Sequence, residues 1–290
     1  MNKSFILTPS LCILASSLFV SCFQAVSEEE TAEEEGFQQI FHCVEFEQLP
    51  FETRSYEIKD LAGRLDFAVF DSDGTRVKSI GQEASAETFG TVSVRLPEGE
   101  YTIVAVAHNG EKKATLTTPA KITFDGNKVT DTFVYCKQIA VNDNQSYNLE
   151  MKRCVAMVRF VITDETPSEI STFRFYYTGG SSTLDATTGK GCVNSRQTEL
   201  RSRKEANSAG ETVYEIYTFP RADSQNLKLT ISALNSTDET ICEKVIDAVP
   251  VVVSQISQYT GPFFSGSSSL FDTNNTFYTN DTWTTNSYTL

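Results

Sequence analysis

Histidine is almost absent from this chain: His42 and His108 are the only two in 290 residues. Nucleophilic catalysis by serine or cysteine needs a histidine base, and neither neighbourhood resembles a catalytic signature. Both read as surface or half-buried structural residues. Cysteine is scarce and oddly spaced: Cys12, Cys22, Cys43, Cys136, Cys154, Cys192 and Cys242, with no C-x-x-C. That excludes zinc-ligand spacing and a disulfide framework. Tryptophan occurs once, at Trp283. Positive charge is also short, with 24 Lys and Arg against 38 Asp and Glu and a net charge of −14. No basic patch stands out, so nucleic acid is not an expected partner. An acidic surface is repelled by anionic membranes, so any attachment must come from another device.

Long hydrophobic runs are missing except at the start. Phe5 to Val20 is apolar, follows Lys3, and is broken by Thr8, Pro9, Ser10, Ser16 and Ser17. It is too short and interrupted to span a bilayer and reads as a signal peptide, residues 1–21. It ends Leu18-Phe19-Val20-Ser21-Cys22, small residues before a cysteine, as in a bacterial lipobox. Cys22 is the expected lipidation site. Each buried CH₂ contributes about 0.8 kcal/mol, so several acyl chains would hold a soluble body stably. Residues 22–36 then form a tether with six glutamates between Glu28 and Glu35. Such a run stays solvated. It serves as a flexible spacer and also looks like a surface-export address.

Two loops that suggest ligands fail on inspection. Setting Gly74 of Asp71-Ser72-Asp73-Gly74 at the invariant glycine of a calcium loop puts Val69 and Ile80 at ligand positions,. A hairpin turn is the better reading. Setting Gly189-Lys190-Gly191 as a phosphate loop puts Leu184 at the first glycine and Gly191 where a hydroxyl is required,. No metal or cofactor is expected, no catalytic residue can be named, and the chain reads as a non-enzyme. The five cysteines that remain, Cys43, Cys136, Cys154, Cys192 and Cys242, are expected mainly as buried free thiols, with one disulfide left open.

The remaining pattern is strand after strand. Leu65 to Val69, Thr91 to Leu96, Tyr101 to Ala107, Lys121 to Phe124 and Thr132 to Val141 alternate or run apolar between Gly, Asn, Asp and Pro turns,. A second series begins with a long strand over Tyr147 to Ile162. Ser171 to Tyr177 follows, then Gly179 to Ser195 as a polar, glycine-rich loop. Val213 to Phe219, Leu227 to Leu234 and Ile241 to Tyr259 complete it. The spacing predicts an all-β chain of two sandwich domains, 37–145 and 146–290, divided at the polar break near Val141 to Gln145. After a Ser- and Asn-rich stretch the chain ends in a predicted terminal strand from Phe277 to Leu290.

Four stretches in order resemble the FimB/Mfa2 family of Bacteroidetes fimbrial lipoproteins. They are Leu96-Pro97-Glu98-Gly99-Glu100-Tyr101-Thr102, Arg153 to Phe160, Tyr177 to Gly191, and Gln255 to Phe264. The resemblance implies transthyretin-like or Ig-like sandwiches. It also implies a lipid-anchored subunit or anchor of surface fimbriae in the outer membrane, acting in assembly and adhesion. Its partners would be other fimbrial subunits, the outer membrane through the lipid, and a host or bacterial surface ligand. In such systems an extended segment fills a neighbour's open sheet edge. Phe277, Tyr278, Trp283 and Tyr288 mark the candidate donor or edge strand, or an ordinary strand closing its own domain. Polymerising subunits of this type are processed after an arginine, and Arg54 is the candidate here, though an anchor would not need it. The competing reading is a surface glycan-binding lipoprotein of a polysaccharide-uptake system, using Trp283 with Tyr176, Tyr177 and Tyr259.

Overall fold

The computed structural model describes residues 35–46, 58–223, 225–265, 276–280 and 283–289. They form two β-sandwiches. The first is one folded sheet. β1 (Phe37–Phe46) lies between β4 (Thr91–Leu96), antiparallel, and β9 (Gln145–Arg153), parallel. β2 (Arg64–Phe70) lies between β3 (Arg76–Glu83) and β5 (Gly99–His108), and β5 pairs with β8 (Thr132–Val141) along its whole length. The two halves join at one corner, where only Phe133↔Arg153 and Val134↔Lys152 pair. Between them Phe41, Val94 and Leu149 from one half meet Phe67, Ile103 and Ile139 from the other in one apolar core.

The apolar run Ile103 to Ala107 is fully buried at every position. A strand buried on alternate residues only has one wet face, so β5 must be covered on both. Ile103 and Ala105 point into the sandwich. Val104 and Val106 point out, into a second core built by both halves of the molecule.

The second sandwich has a five-stranded and a four-stranded sheet. In the first, β10 (Ala156–Ile162) lies between β15 (Thr212–Thr218) and β18 (Gln255–Gly261), followed by β20 (Trp283–Thr289) and β19 (Thr276–Asn280). In the second, β11 (Thr172–Thr178) lies between β14 (Arg196–Ser202) and β16 (Gln225–Leu234), with β17 (Thr240–Val251) at the far edge. Phe160, Phe173, Phe175 and Tyr214 stack between the sheets with ring centroids 4.7 to 5.8 Å apart,.

A small sheet belongs to both halves. β6 (Thr115–Thr118) and β7 (Lys121–Thr123) come from the first; β12 (Thr183–Asp185) and β13 (Lys190–Gly191) come from the second. Leu184 pairs with Ile122 across the boundary. Beneath it, Phe70, Val104 and Val106 meet Val155, Met157, Phe219 and Ile256. The sandwiches therefore share a core.

Besides Ile241 to Tyr259, which is two strands, β17 and β18, in different sheets, three sequence expectations change here. The run Tyr147 to Ile162 is two strands in different sheets. Inward positions are odd in β9 (Leu149, Met151) and even in β10 (Ala156, Val158, Phe160, Ile162), and a single strand cannot switch parity,. The switch falls at Cys154-Val155, where Cys154 N–H donates to Thr132 O. β9, which begins at the predicted domain boundary, thus pairs in the first sheet. Second, Gly179 to Ser195 is no free loop: Ser181, Leu184 and Gly191 are buried in the joint. A Cβ on Gly180 would stand 2.0 Å from Thr218 Oγ1, so glycine permits that packing,. Third, the chain carries a strand that its pattern hid. β14 turns Gln197 and Glu199 inward rather than apolar residues. Besides these sheets a short helix, α1 (Ile58–Leu61), buries Ile58 in the first core.

Candidate assembly interface

Assembly by strand addition depends on sheet edges, so the edges define the candidate site. On one side of the five-stranded sheet, β15 is closed. Its alternate carbonyls are taken by side chains: Val213 O accepts from Lys204 Nζ at 2.8 Å, Glu215 O from Arg201 Nη2 at 3.4 Å, and Tyr217 O from Tyr177 Oη at 3.0 Å. A strand cannot dock on carbonyls already bonded. The single hydroxyl proton of Tyr177 is shared between Tyr217 O and Glu199 Oε1, the latter at 2.6 Å, while Gln197 Nε2 donates to the hydroxyl oxygen at 3.1 Å,. Glu199 also pairs with Arg201. The inward polar residues of β14 thus have a purpose: they carry the donors that close β15. Burial and the neighbouring Glu199 push the Tyr177 hydroxyl well above its ordinary pKa, so it stays a donor,.

The other side is occupied by the chain's own C-terminus. β20 runs parallel to β18, from Gln255↔Thr284 to Thr260↔Thr289, and β19 folds back antiparallel on β20. The candidate residues fall in this hairpin: Phe277 and Tyr278 in β19, Trp283 and Tyr288 in β20, with Tyr288 opposite Tyr259. Cys22 and Arg54 lie outside the described residues.

The segment leading out of β18 is clamped. Asp164 Oδ1 accepts from Phe263 N–H at 2.8 Å, and Oδ2 accepts from the N–H groups of Phe264 and Ser265, each at 2.7 Å, and from Ser265 Oγ at 3.1 Å. Burial by itself would raise this carboxyl, but the three backbone donors and the hydroxyl outweigh it and hold the pKa below its ordinary value,. Phe263 and Phe264 are anchored edge-on against Phe173.

At the other terminus, β1 is the middle strand of its half-sheet and carries Phe41 and Cys43 into the core. Gly36 precedes it at φ +123°, where a Cβ would lie 2.4 Å from Leu96 O,. The acidic tether therefore enters a strand hydrogen-bonded on both sides.

The residues weighed for chemistry are engaged elsewhere. His108 is fully buried, not surface or half-buried. Its Nδ1 accepts from Gly110 N–H at 3.0 Å and its Nε2 meets Asp66 Oδ2 at 2.9 Å; Asp66 Oδ2 also accepts from Ala114 N–H at 2.6 Å. Both ring nitrogens are committed, which leaves none to take a proton from a nucleophile. Asp71 Oδ1 accepts from Asp73 N–H and Thr75 N–H, as a hairpin turn requires,. No group of His, Cys, Asp or Glu among the described residues has metal-site geometry. The cysteines at 43, 136, 154, 192 and 242 are all free thiols. Burial raises the Cys43 thiol to about 12 and the Cys136 thiol to about 11. Of the aromatics offered for glycan stacking, Tyr177 and Tyr259 are buried, which removes their faces from any sugar; Tyr176 is exposed.

The chain matches the model of the family described as fimbrillin-A associated anchor proteins Mfa1 and Mfa2 over residues 57–289. No curated protein matches it. Among solved structures it resembles a putative adhesin from Bacteroides ovatus at 10% identity and a TM-score of 0.50, covering 71% of this chain and 76% of that one. A second putative adhesin from the same organism aligns at 11% identity and a TM-score of 0.49, covering 74% and 83%. The fimbrial anchor protein Mfa2 from Porphyromonas gingivalis aligns at 14% identity and a TM-score of 0.44, covering 71% and 81%. Identities this low speak to the fold alone. The family match spans most of the chain, and the chain therefore belongs to the fimbrillin-A associated anchor proteins.

Proposed function

We propose that this protein is an outer-membrane lipoprotein, acylated at Cys22, that holds surface fimbriae to the cell and contacts other subunits by strand addition. Membership in the anchor family carries the reading. Two features of the molecule support it. The tether joins β1, a strand paired with β4 from Phe37 to His42 and with β9 from Gln39 to Phe46, so a pull on the lipid end loads many hydrogen bonds in shear together. The described sheet of the second sandwich has one closed edge at β15 and one edge, β18, that already accepts a strand in parallel register. That strand is the terminal hairpin, and a neighbour's strand fits the same edge by the same main-chain bonds. The role is structural and non-enzymatic. In this reading Arg54 is left uncut, and β1 stays continuous with the body of the molecule.

The test is to shave intact cells with protease and follow the protein by mass spectrometry, alongside material sheared from the surface. The expected result is a surface-exposed chain, acylated at Cys22, that co-purifies with a polymer of other sandwich subunits. An exposed, lipidated chain that is always alone and retains polysaccharide would replace the anchor reading with a glycan-binding one.

A further inference from the structure

Apolar exposure is concentrated on one surface. Of the six large hydrophobic residues exposed among the described residues, four lie on the β14-β11-β16-β17 sheet: Leu200 at 61%, Ile241 at 45%, Tyr176 at 38% and Val245 at 37%. The register gathers three of them. Thr198, Tyr176, Thr230 and Val245 form one row across the four strands; Leu200, Arg174, Ser232 and Glu243 form the next. No residue of these strands belongs to the core shared between the sandwiches. The face is a hydroxyl-rich plane around one aromatic ring.

Its charge differs from that of the molecule. The chain carries −14, so two copies repel through most of their surfaces,. This face carries Arg174, Arg196 and Lys228 against Glu243 and Asp247, and the charges are sorted. Arg196 stands on one edge strand, β14; both carboxylates stand on the opposite edge strand, β17. Arg174 Nη2 donates to Ser232 Oγ, which donates to Glu243 Oε2 at 2.8 Å, leaving Arg174 and Glu243 mutually engaged. Lys228 reaches Asp247 at 2.7 Å, but both are well exposed and the pair is screened by water,. Arg196 has no partner among the described residues.

Two copies of such a face are complementary in the rows of Arg196 and Tyr176, whereas in the next row Leu200 falls on the partner's Glu243, a carboxylate already held by Ser232. A two-fold axis lying in the contact plane, parallel to the strands, sets β14 of each copy over β17 of the other and every row over itself. Arg196 then meets the partner's Asp247 twice, Tyr176 covers the partner's Thr230, and Val245 covers the partner's Thr198. Aligned packing of two sheets about 10 Å apart is the usual geometry for such faces. We propose that this sheet is a self-association surface, occupied by the same sheet of a second copy of this chain. Four strands about 4.8 Å apart and seven residues about 3.3 Å each give a plane of roughly 450 Å². A standard interface takes about 800 Å² from each partner, so the dimer is weak in dilute solution and favoured where copies are crowded on one surface.

The test is sedimentation equilibrium on the full-length chain carrying Cys22→Ser, so that no acyl chain contributes, over protein concentrations from about 10 µM to 1 mM, where weak association is read. The expected result is a monomer–dimer equilibrium abolished by Tyr176→Lys with Leu200→Glu, both exposed positions whose melting curve stays that of the parent. Arg196→Asp alone and Asp247→Arg alone each weaken it by about tenfold or more. Mixing those two variants restores a heterodimer, because each copy then offers what the other lacks. A monomer throughout the range, or a dimer indifferent to Tyr176→Lys with Leu200→Glu, overturns the proposal. So does a mixture that fails to recover. A dimer lost instead when the glutamates from Glu28 to Glu35 are replaced by glutamine would make the occupant a neighbour's tether, and would also overturn it.

Discussion

Asp164 shows how much one carboxylate decides in this fold. Its side chain accepts from Phe263, Phe264 and Ser265 together, the residues by which the chain leaves β18. Hydrogen bonds to a charged acceptor are worth about 1.5–3 kcal/mol in good geometry, and Asp164 is partly exposed, so solvent screening brings the expected cost of Asp164→Ala to about 1–2 kcal/mol. Because the folded carboxyl sits below its ordinary value, its contribution is full above about pH 4 to 5 and is lost as pH falls through the folded pKa,. Urea titrations of the parent and of Asp164→Asn should therefore differ at pH 7 and converge toward pH 3; a difference that grows on acidification would contradict the clamp. The thiols give a second test. Cys43 is buried with its pKa at about 12, and Cys192 is exposed. At pH 8 an alkylating reagent should modify Cys192 first and leave Cys43 and Cys154 until denaturant is added. Mass spectrometry of the time course reads the order directly.

Strands set the next scale. β18 accepts β20 in parallel register because β19, antiparallel to both, supplies the return: Thr276, where β19 begins, pairs with Ser287 at the end of the sheet where β18 finishes,. Removing residues 266–290 bares that edge. The truncated chain should bind a peptide of sequence 283–290, whereas the intact chain, whose β18 edge is already filled, should not; calorimetry with the peptide decides, and no binding to the truncated form would remove β18 as an acceptor. At the other terminus, the fate of Arg54 separates two roles. A surface form whose N-terminus is acylated Cys22 has β1 joined to the body, as an anchor requires. A surface form beginning at Ser55 would belong to a processed, polymerising subunit instead, and N-terminal sequencing tells them apart.

Two sandwiches that share a core should behave as one cooperative body. Phe219 lies at the centre of the joint: it is fully buried, its ring centroid is 5.3 Å from that of Phe124, and its backbone bridges Ser181. Phe219→Ala should cost about 3–5 kcal/mol, the usual range for a buried phenylalanine, and should lower a single transition seen by calorimetry. Two separate transitions in the parent, with only one affected by Phe219→Ala, would show that the joint does not couple the halves. In the anchor role proposed above, force entering at β1 would reach the second sandwich both along the chain from β9 through Cys154-Val155 into β10 and through the shared core of Val104, Val106 and Phe219.

Alternation and turn chemistry made most of this legible before any fold was in hand. Thr91 to Leu96 and Thr132 to Val141 form strands with the predicted bounds, and Asp71 to Gly74 makes the predicted turn, because each depends on neighbours in the chain. Signals that act along the chain also made the signal-peptide and tether readings. Tertiary structure decided the rest. β14 was hidden because its inward residues, Gln197 and Glu199, are polar and are satisfied by Tyr177 and Thr218 from other strands and by Arg201 of β14 itself. The joint was hidden because Ser181 to Gly191 reads as a loop until Ile122 supplies a strand to pair with it. The break at Cys154 was visible as a change of parity, but only the two sheets give that change a meaning. Local sequence fixes which face of a strand is apolar; which partner covers that face is a property of the whole chain.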